Sequence, residues 1–113
     1  MTQLQALLLS LVLETPVALL LARLVVRVDV RWALLAALLA TLITHPFVWH
    51  FNETLTMFAP WPRLLLLEVA AFVVEGAVYL AVARMKPFAA WGTSLAANAT
   101  SFGIGLVIFF LIR

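Results

Sequence analysis

The chain has no cysteine in its 113 residues. That excludes disulfides, thiolate metal sites and cysteine nucleophiles, and leaves the redox compartment open. It is also poor in charge. Asp, Glu, Lys and Arg make up 11% of the residues and hydrophobic side chains 66%, against about a quarter and about a half in an ordinary soluble domain. So few charged groups could not cover a water-facing surface, which makes the bilayer the expected solvent. Several active-site signatures are missing too: no Gly-rich phosphate loop, no His-Glu-x-x-His metal motif and no Gly-x-Ser-x-Gly nucleophile elbow. Nothing basic precedes the first apolar stretch, while Arg23 and Arg27 follow it, so it reads as a retained helix rather than a secretory signal.

What the chain does have is long apolar runs. A membrane-spanning helix needs about 20 mostly apolar residues, and four runs meet that length, at about 4–26, 32–51, 63–83 and 88–112. The expected fold is an all-α integral membrane protein, one transmembrane domain over 1–113 that forms a four-helix bundle. Cytoplasmic connections collect Lys and Arg. Arg23, Arg27 and Arg31 stand at the first connection and Arg84 and Lys86 at the third, against Arg63 at the second and Arg113 at the end. This bias predicts termini outside and basic connections inside, with a bacterial inner (plasma) membrane as the setting. The second connection, 52–62, carries Phe58 and Trp61 and is flanked by Trp49 and Phe51, rings that favour the headgroup zone. Pro16 and Pro46 fall inside expected helices, where each frees a backbone carbonyl that needs another partner.

The chain also reads as two related halves, about 10–50 and 68–110. Glu14, Val17, Leu19, Ala22 and Arg23 recur at identical offsets as Glu75, Val78, Leu80, Ala83 and Arg84. Trp32, Ala37, Ala40 and Thr41 recur as Trp91, Ala96, Ala99 and Thr100. Apolar matches are cheap in such a composition, so the weight rests on the Glu, Arg, Trp and Thr coincidences. Two repeated helical hairpins entering from one side would form a parallel repeat, with sites tending to lie between the halves.

Three of the five acidic residues, Glu14, Glu68 and Glu75, fall inside the apolar runs. A carboxylate at mid-bilayer costs several kcal/mol, so it is normally paired, protonated or turned inward. Glu14 and Glu75 lie near the middle of their helices. Glu68 lies roughly 10 Å nearer the outer surface, at about 1.5 Å per residue. At about 100° per residue, Glu68, Glu75 and Tyr79 share one stripe of the third helix. Ser94, Asn98 and Ser101 form a stripe on the fourth, and Thr41, Thr44 and His45 cluster on the second, with Ser10 one turn before Glu14 on the first. All four helices therefore offer a polar face to one interior site. The competing structural reading is that Ser, Thr and Asn are ordinary interhelical glue.

Small multidrug transporters share the length, the four helices and a membrane-embedded Glu in the first helix. Their aromatic and Gly-rich patterns are not evident here, and no family is assigned. Intramembrane glutamate proteases use adjacent glutamates, whereas Glu68 and Glu75 are seven apart.

The leading functional expectation is proton- or cation-linked transport or a channel, because a carboxyl in low dielectric can couple protonation to cation binding. Glu14, Glu75, Glu68, Asn98, Thr41 and Thr44 are the expected binding residues. His45, Tyr79, Ser94 and Ser101 are the expected polar network, with Tyr79, Glu68 and His45 on the outer approach. One alternative is a non-catalytic accessory or assembly subunit of a larger membrane complex. A second is an intramembrane enzyme acting on a lipid or an embedded chain, although catalysis is not the favoured reading. No cofactor or metal is expected. The expected partners are the lipid bilayer and a second copy or a larger complex, and not nucleic acid, since the few basic residues sit at membrane boundaries.

Overall fold

The computed structural model describes residues 2–111. The last residue of the fourth expected run and the charge at Arg113 lie outside the described residues. Helix accounts for 88% of the chain, with no strand among the described residues. Four helices follow one another: α1 (Gln3–Leu21), α2 (Val30–Thr54), α3 (Pro60–Val82) and α4 (Pro87–Leu111).

Local chemistry sets their ends. Thr2 caps α1 reciprocally with Gln5, its hydroxyl accepting from the Gln5 N–H at 3.1 Å while its own N–H donates to the Gln5 side chain at 2.9 Å. Such a box satisfies donors that the first helical turn would otherwise leave orphaned. Beyond Leu21 the backbone widens into a π-helical turn, Ala22–Val26, and stops at Arg27, whose left-handed conformation (φ 60°) ends the helix. Asp29 then caps α2, accepting from the Arg31 N–H at 2.9 Å. Pro60 opens α3 and Pro87 opens α4, positions where a missing N–H costs nothing. The second connection is shorter than the sequence suggests. Residues 52–54 contain no helix breaker, so α2 runs through Thr54, and only 55–59 link it to α3.

With such short connections, consecutive helices run antiparallel. Each packs against two others, in the closed order α1–α2–α3–α4 and back to α1. The long dimension of 40 Å is about the length of a 25-residue helix at 1.5 Å per residue. One end of the bundle carries connections 27–29 and 83–86, and is called the turn end below. The other carries the chain's start and connection 55–59.

The two halves of the interior differ. Toward the turn end, alanines fill the centre, among them Ala18, Ala33, Ala36, Ala37 and Ala90, together with buried Tyr79 and Met85. Met85 reaches back from its connection to accept a contact from the Thr93 hydroxyl at 3.6 Å. Small side chains at spacings of three and four let helix backbones approach closely. The exterior is apolar: Val12, Leu20, Leu24, Val69 and Val107 all face outward, while the buried polar set is Glu14, Thr41, Thr44, Glu75, Thr93, Ser94 and Asn98. Water as solvent would favour the reverse distribution. Among the described residues, three helical segments, Gln3–Val26, Val30–Thr54 and Pro60–Val82, are long and apolar enough to cross a membrane.

Candidate functional site: a carboxyl-lined cavity

In the half of the bundle away from the turns, the helices part around a cavity of about 240 Å³. All four contribute to it. Ser10 and Glu14 come from α1, Thr41, Thr44 and His45 from α2, Glu68 and Glu75 from α3, and Asn98 and Ser101 from α4.

The two deepest carboxyls are each held by a threonine of α2. Thr41 donates from Oγ1 to Glu14 Oε2 at 2.9 Å, and Thr44 donates from Oγ1 to Glu75 Oε2 at 3.1 Å. Positions 41 and 44 lie three apart, so both hydroxyls leave one face of α2 and reach opposite neighbours, α1 and α3. Glu14 is 6% exposed and Glu75 2%, and the two are close enough to interact electrostatically. Ser101 approaches Glu14 and Asn98 approaches Glu75, so α4 closes the polar ring. Asn98 is positioned by its own helix, its Nδ2 donating to the Ser94 carbonyl at 2.8 Å and to Ser94 Oγ at 3.3 Å. Ser94 in turn donates from Oγ to the Phe72 carbonyl at 2.9 Å, tying α4 to α3 beneath the cavity.

Glu68 is held differently. It is only partly buried, on the cavity wall nearer the end with connection 55–59, and no hydrogen bond or ion pair meets its carboxyl among the described residues. His45 Nε2 is buried and likewise has no hydrogen-bond partner among them. Among the described residues, no lysine or arginine lines the cavity. Arg63 is occupied elsewhere, donating to Asn52 Oδ1 at 3.2 Å and to the Leu55 carbonyl at 3.5 Å, and the ion pair Arg31–Asp29, at 3.2 Å, is exposed near the turn end. Three carboxyls thus face one space with no lysine or arginine beside them among the described residues. They do not close into a ready metal cage: among the described residues, no group of three or more Asp, Glu or His is placed to hold a metal ion.

Eight of the ten residues singled out in the sequence line this space: Glu14, Glu68, Glu75, Asn98, Thr41, Thr44, His45 and Ser101. Ser94 supports Asn98 from below. Tyr79 is not on the outer approach. It is 1% exposed and packs in the alanine core on the far side of Glu75 from Glu68. Periodicity gave its face correctly, but α3 descends from Pro60 to Val82, so a residue four beyond Glu75 moves toward the turn end. Two contacts had no sequence signal, the Thr93–Met85 contact and the seat of the Trp91 indole on Gly76.

No protein-family model, curated protein or solved structure matches this chain.

Proposed function

We propose that the chain is an integral membrane protein of four spanning helices that binds a proton or another cation at Glu14 and Glu75 and moves it as a transporter or channel. The observation that carries this reading is the cavity, lined by three carboxyls and one histidine and, among the described residues, by no lysine or arginine. In a low-dielectric interior such carboxyls must take up protons or attract a cation, since an isolated buried charge is prohibitively costly. Thr41, Thr44 and Asn98 would be the neutral ligands, Ser101 part of the surrounding network, and Glu68 and His45 the lining of the approach.

The same reading places both termini outside, the basic connections in the cytoplasm and the protein in a bacterial inner (plasma) membrane. It treats the two hairpins as a duplication that puts one of the two deep glutamates, Glu14 and Glu75, in each half. One copy supplies every lining side chain, yet its turn-end half is packed with alanines, so a through-path needs helix movement or assembly. A homo-oligomer or a larger membrane complex is the proposed working state.

The test is flux. Purified protein in liposomes should show pH-driven cation or proton movement that is abolished in Glu14→Gln and in Glu75→Gln. Unchanged flux in both variants would overturn the reading.

A further inference from the structure

Between α3 and α4 lies a groove of about 230 Å³, walled by Leu65, Val69, Phe72, Leu95 and Ala99. It shares Glu68, Asn98 and Phe102 with the interior cavity, so those three side chains stand between the two spaces. Val69, Leu95 and Ala99 are exposed on the outer surface, which the proposed function assigns to lipid.

Resting on that function, we propose that the solute is a lipophilic organic cation that reaches the site sideways from the membrane through the α3–α4 groove, with Glu68 at the junction as its charge partner. The walls disfavour a hydrated inorganic ion, which would have to shed water against hydrocarbon with no ligands to replace it. An anion would meet three carboxyls. A neutral lipid chain would fit the walls but bury Glu68 beside hydrocarbon without a partner. Only a solute with an apolar body and a positive charge satisfies both ends of the groove.

Two observations single out the junction. Glu14 and Glu75 are already held by Thr41 and Thr44, whereas Glu68 has no partner among the described residues. Asn98, 9% exposed, donates from Nδ2 to Ser94 and borders both the groove and the cavity. A carboxyl and an amide thus stand at the junction, and the Phe72 and Phe102 rings line the groove as surfaces for cation–π contact.

The absence of native cysteine makes the test direct. Ala99→Cys places a single thiol in the groove wall, and its labelling by a membrane-permeant maleimide can be timed in nanodiscs. Methyltriphenylphosphonium should slow labelling, while tetramethylammonium, with the same charge and no apolar body, should not at equal concentration. Adding Glu68→Gln should weaken the phosphonium's apparent affinity about tenfold, equivalent to about 1.4 kcal/mol. Equilibrium dialysis of the phosphonium against the cysteine-free protein, with and without Glu68→Gln, should give the same ratio and guards against a misfolded thiol variant.

Equal protection by both cations, full protection in the Glu68→Gln background, or a thiol already shielded without any cation would overturn the proposal; the last outcome would mean that a second copy or a lipid fills the groove. Carboxyl-dependent flux without phosphonium binding would sink lateral access and leave the transport reading standing. Phosphonium binding that needs Glu68, with flux indifferent to Glu14→Gln and Glu75→Gln, would do the opposite.

Discussion

At Gly76, α3 meets the Trp91 ring of α4 with no room for a Cβ. A Cβ built there would run into the indole ring of Trp91, whose Nε1 donates to the Val73 carbonyl at 3.2 Å. Replacing Gly76 with Ala therefore forces a choice. The ring can swing away, giving up a hydrogen bond worth about 0.5–1.5 kcal/mol and its packing, or the helices can part, an overpacking cost of about 1–3 kcal/mol. Against this stands the helix-propensity gain of Gly→Ala, up to about 1 kcal/mol in exposed helix interiors. Gly103→Ala supplies the reference, because a Cβ there meets nothing within 4 Å. Gly76→Ala should be less stable than Gly103→Ala by about 1–3 kcal/mol, the full overpacking range, since the propensity term is common to both. The assay is unfolding in mixed micelles titrated with SDS and followed by far-ultraviolet circular dichroism. In a Trp91→Ala background the difference between the two alanine variants should vanish, since the coupling runs through one contact. Equal stabilities in the native background, or a penalty that survives removal of the indole, would refute the reasoning.

The remaining predictions concern the site and the turn end. Thr41→Val keeps the shape but leaves the buried Glu14 carboxyl without its donor, so stability should fall by about 1–3 kcal/mol in the same titration, and by much less when Glu14 is already Leu. At the turn end, the Arg31 side-chain hydrogen bonds, joined by its backbone N–H, hold the Asp29 carboxyl below its ordinary value. A carboxyl lowered in the folded state contributes stability that is present above its unfolded pKa and lost as pH falls through the folded one. Amide-exchange protection in the first turn of α2 should therefore decline below the ordinary aspartate range, and Asp29→Asn, which keeps a capping oxygen, should flatten that decline.

The helices were legible because their apolar runs are long, whereas their ends were less so: the second connection, expected over 52–62, spans only 55–59. The convergence of Glu14, Glu75, Thr41, Thr44 and Asn98 was legible from helical period alone, since in a bundle with an apolar exterior the polar stripe has one place to go. Less was legible about depth. Which half of the interior would be open depends on side-chain volume, and the run Ala33, Ala36, Ala37 and Ala40, which closes the turn-end half, carries that information only once α2 is docked. The widened turn at Ala22–Val26 has no marker in its residues. Matching positions in the two halves also do not make matching contacts. Trp91 lies on Gly76, but Trp32 is 52% exposed and Thr15 stands at the offset corresponding to Gly76. Likewise Thr100 donates to its own helix at Ala96, while its counterpart Thr41 bonds Glu14.

That last difference makes α2 the helix on which both deep carboxyls depend. Thr44 is the more informative of its two threonines. Its single hydroxyl proton faces two acceptors, Glu75 Oε2 at 3.1 Å and the Ala40 carbonyl at 2.9 Å, and it cannot serve both fully. When Glu75 is ionised, the hydroxyl should turn to the carboxylate, the stronger acceptor. With Glu75 protonated, the carboxyl can donate to Thr44 Oγ1 while the hydroxyl turns to Ala40. One side chain thus fits both protonation states of Glu75 without moving its heavy atoms, as the proposed proton-carrying role would need. Thr44→Ser should preserve this and Thr44→Val should not. The infrared carbonyl stretch of protonated Glu75, assigned by its loss in Glu75→Gln, should shift in the valine variant, and proton-linked flux should fall there while the serine variant stays near wild type. A stretch unmoved by valine would show that Thr44 is only packed beside the carboxyl.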